Sequence, residues 1–100
     1  MYEKIYYPYP ATNKRYKYTI ITNQGKKISF GASGYEHYTE GHLDPERKQR
    51  YLNRHKTKEN WNNPNTAGYW SAKYLWSYPT YKEAYQKIRQ ELISKGYIST

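Results

Sequence analysis

Arg47, Arg50 and Arg54 recur at intervals of three and four residues within DPERKQRYLNRHK, residues 44–56. On a helix turning about 100° per residue they fall within a sector of about 60°, with Tyr51 at its edge. Each guanidinium offers a planar fork of donors that matches the oxygens of a phosphate. From Arg47 to Lys58 there are six Lys or Arg, one His and no acid. An acid-free run of this kind either meets a polyanion or stands solvated. Read for the first role, Arg47, Lys48, Arg50, Arg54 and Lys56 are the candidate phosphate contacts, with Lys26 and Lys27 as secondary ones. Lys14, Arg15 and Lys17 extend that second basic cluster. If both clusters engage one duplex, about four to six phosphates are neutralised and affinity falls steeply with salt. No zinc finger, basic zipper or RNA-recognition signature accompanies them, so the expected mode is backbone binding with little base preference.

Other residues raise a hydrolytic alternative. His37, His42, Asn53 and His55 lie near one another in sequence. A hairpin followed by a helix invites comparison with HNH nucleases, whose ββα unit holds a metal. The order is unfavourable, because the histidines follow the hairpin instead of occupying its first strand. ISFGAS resembles the second signature strand of GIY-YIG nucleases, but Thr19, Ile20 and Ile21 stand where their first signature belongs. Lone histidines in a basic protein are more often surface or structural residues. The expectation is therefore a protein that is not an enzyme, with no catalytic residue, metal, cofactor or small-molecule substrate.

Composition points the same way. A formal charge of +9 and a pI near 9.6 make a nucleic-acid footprint the leading reading, DNA before RNA. Absence of Cys excludes disulfides, thiolate zinc sites and thiol catalysis. No apolar run approaches the roughly 20 residues of a membrane span. MYEKIYYPYP lacks a hydrophobic signal core and reads as mature protein, working inside a cell or a particle assembled in one. One hundred residues bound one small domain, and with no Val, four Leu and 15 Tyr its core is thin. Each buried Tyr hydroxyl needs a hydrogen-bond partner. Sharing surface with a second copy would compensate, so a homodimer is expected.

The elements that must position these groups follow from pattern. Residues 1–13, broken by Pro8 and Pro10, read as a Tyr/Pro-rich arm lying across the domain or a partner, ahead of one domain over 14–100. RYKYTIITN alternates with period two, NQGK turns, and residues 27–31 return, which predicts a β-hairpin. Its apolar face must pack on downstream helices. The loop over 31–43 leaves room for a short third strand at Tyr35 to Thr39. Asp44 as N-cap, Pro45 at the first turn and Glu46 open a helix running to about Lys56, anchored by Leu52. Thr57 to Asn65 is turn-like, with Trp61 folding back as a lid. Thr66 to Trp76 reads as a short helix with an aromatic core face. Thr80-Tyr81-Lys82-Glu83 is a capping box, followed by an Ala84, Tyr85, Ile88, Leu92 stripe and Gly96 as terminator. The architecture is α+β: a hairpin or small antiparallel sheet, then about three helices.

The run RKQRYLNRHKTKENWNNPNTAGYWSAKYLW, preceded by FGASGYEHYT and followed by SYPTYKEAYQKI, resembles a family of short basic proteins carried by nucleocytoplasmic large DNA viruses of the marseillevirus, mimivirus and phycodnavirus kinds. The similarity spans roughly residues 16 to 90. It implies a viral source and packaging in the virion, with the infected host cell as the other location. It transfers no catalytic residue. A virion assembly protein or host-interaction factor without nucleic-acid binding is the alternative function.

Overall fold

The hairpin is built from β2 (Tyr16–Ile21) and β3 (Lys27–Ala32), and a two-residue strand, β1 (Tyr9–Pro10), adds to its outer edge. The computed structural model describes residues 4–34, 37–39, 43–57 and 61–99. The three strands form one antiparallel sheet in the order β1-β2-β3. Tyr18 lies opposite Phe30 and Ile20 opposite Ile28, so one face of the hairpin is apolar. Gly25 takes a φ of 80° in the connecting turn, which the Thr22 amide closes by donating to the Lys26 carbonyl at 2.9 Å.

The N-terminal segment lies across the domain as an edge strand, the sheet position that tolerates proline. Tyr9 pairs with Thr19 and Pro10 with Tyr18. Further back, Tyr6 adopts the left-handed region at φ 52° and turns its ring inward. Its amide donates to the Ile21 carbonyl at 2.8 Å and its hydroxyl to Asn65 Oδ1 at 2.6 Å. The third strand thus comes from the arm. Of the segment allowed as a strand, His37, Tyr38 and Thr39 form none, and Tyr35 and Glu36 lie outside the described residues.

The helices are α1 (Pro45–His55), α2 (Ala67–Trp70) and α3 (Tyr81–Ser94). Thr80 caps α3 by accepting from the Glu83 amide at 3.1 Å. At its other end, Gly96 at φ 83° allows Tyr97 and Gly96 to donate back to the Leu92 and Ile93 carbonyls, a Schellman closure. Ala84, Ile88 and Leu92 are buried, as the stripe predicts.

The segment after α2 departs from the expected helix. Ser71–Trp76 continues as a π-helix, its hydrogen bonds reaching one residue further than in an α-helix. Within it Ala72, Tyr74, Leu75 and Trp76 are all buried, because the sheet, α1 and α3 each press on a different side. Ser71 and Lys73, the two polar residues of the segment, stay half-buried.

Phe30 packs against Trp70 at 5.8 Å and Tyr18 against Tyr74 at 5.4 Å, joining the sheet to the helical layer. Two phenols of this layer find partners: buried Tyr69 donates to Glu91 Oε1, and half-buried Tyr81 hydrogen-bonds Tyr18. Trp70 donates its indole N–H to the Pro64 carbonyl at 2.9 Å, tying down the polar loop that carries half-buried Trp61. Among the described residues no helix is long and apolar enough to cross a membrane.

Candidate nucleic-acid interface

Helix α1 starts where its sequence says it should. Asp44 Oδ1 accepts from the Glu46 amide at 2.9 Å and Pro45 occupies the first turn. None of its residues is buried, so it is held by few contacts. The Tyr51 ring stacks on Trp76 with centroids 4.4 Å apart and planes 5° from parallel, while Leu52 packs against the core edge. The other face of Tyr51 is covered by His55, at 4.3 Å. Lys48 donates to the Ser77 carbonyl at 2.9 Å, with its ammonium 4.9 Å from the Tyr38 ring.

These contacts fix the rotation of the helix. With Tyr51 turned down onto Trp76, Arg47, Arg50 and Arg54 line a recess of about 100 Å³, whose remaining walls are Tyr51 and Trp76. At about 30 Å³ per water in the liquid, such a recess has room for one phosphate group. Neither Arg50 nor Arg54 is held by a salt bridge to any described carboxylate, and both are exposed. Arg47 is half-buried.

A second concavity of about 250 Å³ adjoins the recess and shares Tyr51, Arg54 and Trp76 with it. Gly31 and Ala32 from the end of β3, His37 and Ser71 complete its walls. His37 is only 4% exposed, sits edge-on to Trp76 at 5.8 Å, and receives a hydrogen bond of 2.8 Å at Nδ1 from Lys17. An ammonium has no lone pair to offer, so it donates here and Nδ1 accepts. Thr39 pins the same segment by donating to the Tyr78 carbonyl at 2.7 Å. Gly31 is buried with φ 81°, and a Cβ there would stand 2.9 Å from Leu75 Cδ1 and 3.4 Å from Lys17 Cβ. Glycine is required at that strand end by both conformation and space.

Of the seven candidate phosphate contacts, the structure thus gathers Arg47, Arg50 and Arg54. Lys48 lies about 100° further round the helix and is spent on Ser77 and Tyr38. Lys56 caps the C-terminus about 180° from Arg47. Lys26 and Lys27 sit at the hairpin tip, with Lys27 five residues along β3 from Ala32, about 16 Å away. The basic residues at the near end of the hairpin are Arg15 and Lys17: the Ser33 amide donates to the Arg15 carbonyl at 3.0 Å.

Among the described residues no three His, Asp or Glu are placed to hold a metal ion, and His42 lies outside them. His37 faces the cavity, His55 stacks on Tyr51, and Asn53 accepts from Gln49 on the helix surface. Sequence reasoning did not place Ser71, Gly31 or Ala32 at the site. A glycine closing a strand is a signal of close backbone approach, and it was available at Gly31.

No curated protein and no solved structure matches the chain. Residues 6–55, from the inward-turned Tyr6 through the sheet to the last residue of α1, match the model of a family of unknown function, DUF5754. That span contains the arginine stripe, His37 and the β3 wall of the cavity, and by it the chain belongs to the DUF5754 family.

Proposed function

We propose that this protein binds nucleic acid, DNA in preference to RNA, through backbone phosphates and without catalysis. The observation that carries the reading is the convergence of Arg47, Arg50 and Arg54 on one phosphate-sized recess. An arginine stripe that served only solubility would have no need of a common focus. Forked donors around one point create a positive potential that a phosphate neutralises, and each engaged phosphate releases counterions. Arg15 and Lys17 at the near end of the hairpin offer a continuation of the track.

The reading carries with it the giant-virus source and virion packaging implied by the resemblance, and a homodimer whose second copy doubles the basic surface. Sedimentation at several concentrations reads the dimer. The decisive experiment titrates a closed circular duplex against salt for the native protein and for Arg50→Glu with Arg54→Glu. Binding is expected to be lost in the double variant. The milder Arg50→Gln with Arg54→Gln is expected to shallow the log–log salt slope by about 2. Unchanged binding in the charge-reversed protein would remove this surface from the account and leave the assembly role.

A further inference from the structure

Tyr74 carries a hydroxyl that the fold leaves without a hydrogen bond. The residue is 8% exposed, its ring stacks on Tyr81 at 4.8 Å and it meets Tyr18 edge-on at 5.4 Å. No described residue donates to its oxygen or accepts from it. Tyr69 and Tyr81, in the same layer, each have such a partner. A buried hydroxyl left unmet is costly, and native structures rarely keep one without a reason.

Tyr74 lines a cavity of about 210 Å³ on the side of the molecule formed by the N-terminal segment and α3. Tyr7 and buried Pro8, just ahead of β1, supply one wall, and Tyr81, Lys82 and Tyr85, from the first two turns of α3, supply another. Tyr7 meets Tyr85 edge-on at 5.2 Å, and the hydroxyl of neither bonds to a described residue. Burial, the largest influence, raises the phenols of Tyr74 and Tyr85 above their ordinary value of 10; Arg89 offsets part of this at Tyr85, and the Tyr7 oxygen adds to both. Both therefore stay protonated at neutral pH and have a proton to donate. Lys82 is exposed, and no described carboxylate pairs with it.

A ligand for these walls must bring apolar bulk for the rings and acceptors for the hydroxyls. A quaternary ammonium suits an aromatic cage, but it brings no acceptor and would meet Lys82. A stacking base needs an open ring face and a cationic track, whereas Tyr81 covers one face of Tyr74 and Lys82 is the one cation among the described lining residues. A polyproline helix meets both demands. Its rings are apolar, its carbonyls have no internal hydrogen bonds, and its prolines have no N–H in need of an acceptor. Such segments dock in aromatic-lined grooves. The volume, below the roughly 300–1,000 Å³ of pockets for drug-sized molecules, is on the scale of side chains entering from an extended chain.

We infer that this cavity docks an extended proline-rich segment of a partner protein, its rings against the tyrosine walls, its carbonyls accepting from Tyr74 and Tyr85, and an acidic residue beside the prolines meeting Lys82. The cavity shares no lining residue with the arginine recess, so its occupant is independent of nucleic-acid binding.

Fluorescence anisotropy of the full chain with a labelled oligoproline peptide ending in two aspartates tests it. The comparators are a glycine–serine peptide with the same ending and an oligothymidine of similar length. The oligoproline is expected to bind about tenfold tighter than the glycine–serine peptide. Tyr74→Phe removes the hydroxyl alone, and is expected to weaken the oligoproline by about threefold to tenfold. Its melting temperature is expected to be no lower, since no bond within the protein is lost. Lys82→Glu, at an exposed position, is expected to weaken the aspartate-ended peptide and to favour one ending in two lysines. Equal affinity for the oligoproline and glycine–serine peptides overturns the inference. So does a Tyr74→Phe protein that melts lower and binds as before, because the hydroxyl would then serve the fold. Oligothymidine that binds more tightly than the oligoproline, and is weakened by Tyr74→Phe, also overturns it by making the occupant a nucleic acid.

Discussion

Helices α1 and α3 both carry several cations, and they use them in opposite ways. On α3, Lys82, Lys87 and Arg89 are interspersed with Glu83 and Glu91, and the C-cap Lys95 pairs with Glu91 at 3.3 Å. Its inner face buries Ala84, Ile88 and Leu92. Charge there is local decoration on a helix held by its core contacts. On α1 nothing is buried, and no acid follows Glu46. The helix is oriented by one stacked ring, one leucine and one lysine, and its arginines face a shared hollow. Side chains that contribute little to the fold and yet converge on one point are better explained by a ligand than by stability.

The widest gap between the two regions is expected in their mutants. Trp70 is fully buried between Phe30, Tyr6 and Tyr74, with its N–H bonded to Pro64. Trp70→Ala is expected to cost about 3–5 kcal/mol, enough to unfold much of the population at physiological temperature, read by chemical denaturation. Arg50→Glu with Arg54→Glu is expected to change stability by no more than about 0.5 kcal/mol per site while nucleic-acid binding disappears. Destabilisation of the double variant approaching that of Trp70→Ala would break the comparison, because the arginines would then be structural.

Tyr51 sharpens it, belonging to both regions. Removing the ring takes away its stack on Trp76 and the contact that sets the rotation of α1. Tyr51→Ala is expected to cost about 1–2 kcal/mol, and to weaken DNA binding although no charge has changed. Retained affinity would mean that the arginines need no fixed helix orientation.

Much of this division was legible in the sequence. The caps at Asp44 and Thr80, the Gly25 turn and the α3 stripe act through neighbours within a few residues, so pattern suffices to find them. The grouping of Arg47, Arg50, Arg54 and Tyr51 on one side of α1 was equally legible, because spacing alone sets the angles between them. What could not be read were contacts across long sequence distances. Tyr6 enters the core through a left-handed residue that tyrosine rarely adopts, so the arm's pairing left no local trace. The π geometry at Ser71–Trp76 answers pressure from several elements at once. Lys48 and Lys17 looked like any other basic residue, and only the fold sends one to Ser77 and the other to His37.

The aromatic layer also makes a prediction in alkali. Burial, the largest influence, raises the phenols of Tyr69, Tyr74 and Tyr81 far above their ordinary value of 10. A raised value means that the protonated phenol is the form favoured by folding. Stability from these groups is therefore intact below pH 10 and declines as the pH climbs past it. Ultraviolet titration is expected to show a set of tyrosines that ionise only as the protein unfolds. A single transition of all 15 in the folded state would contradict the packing of that layer.

The smallest expected effect concerns Glu91, where the charge on α3 touches the core. Burial by itself would raise its carboxyl, but the Tyr69 hydroxyl and the Lys73 and Lys95 ammonium groups outweigh it and bring the group below 4.5. A depressed carboxyl stabilises the fold at pH values above its unfolded value, and that contribution is lost as acid carries the pH down through the folded one. The window therefore opens near pH 4.5 and extends downward. Glu91→Gln is expected to cost about 1 kcal/mol at neutral pH and to flatten the acid limb of the stability curve. It should leave nucleic-acid affinity untouched, since Glu91 is not among the residues that line the recess. A loss of affinity in this variant would show that charge on α3 takes part in binding, and would erase the contrast between the two helices.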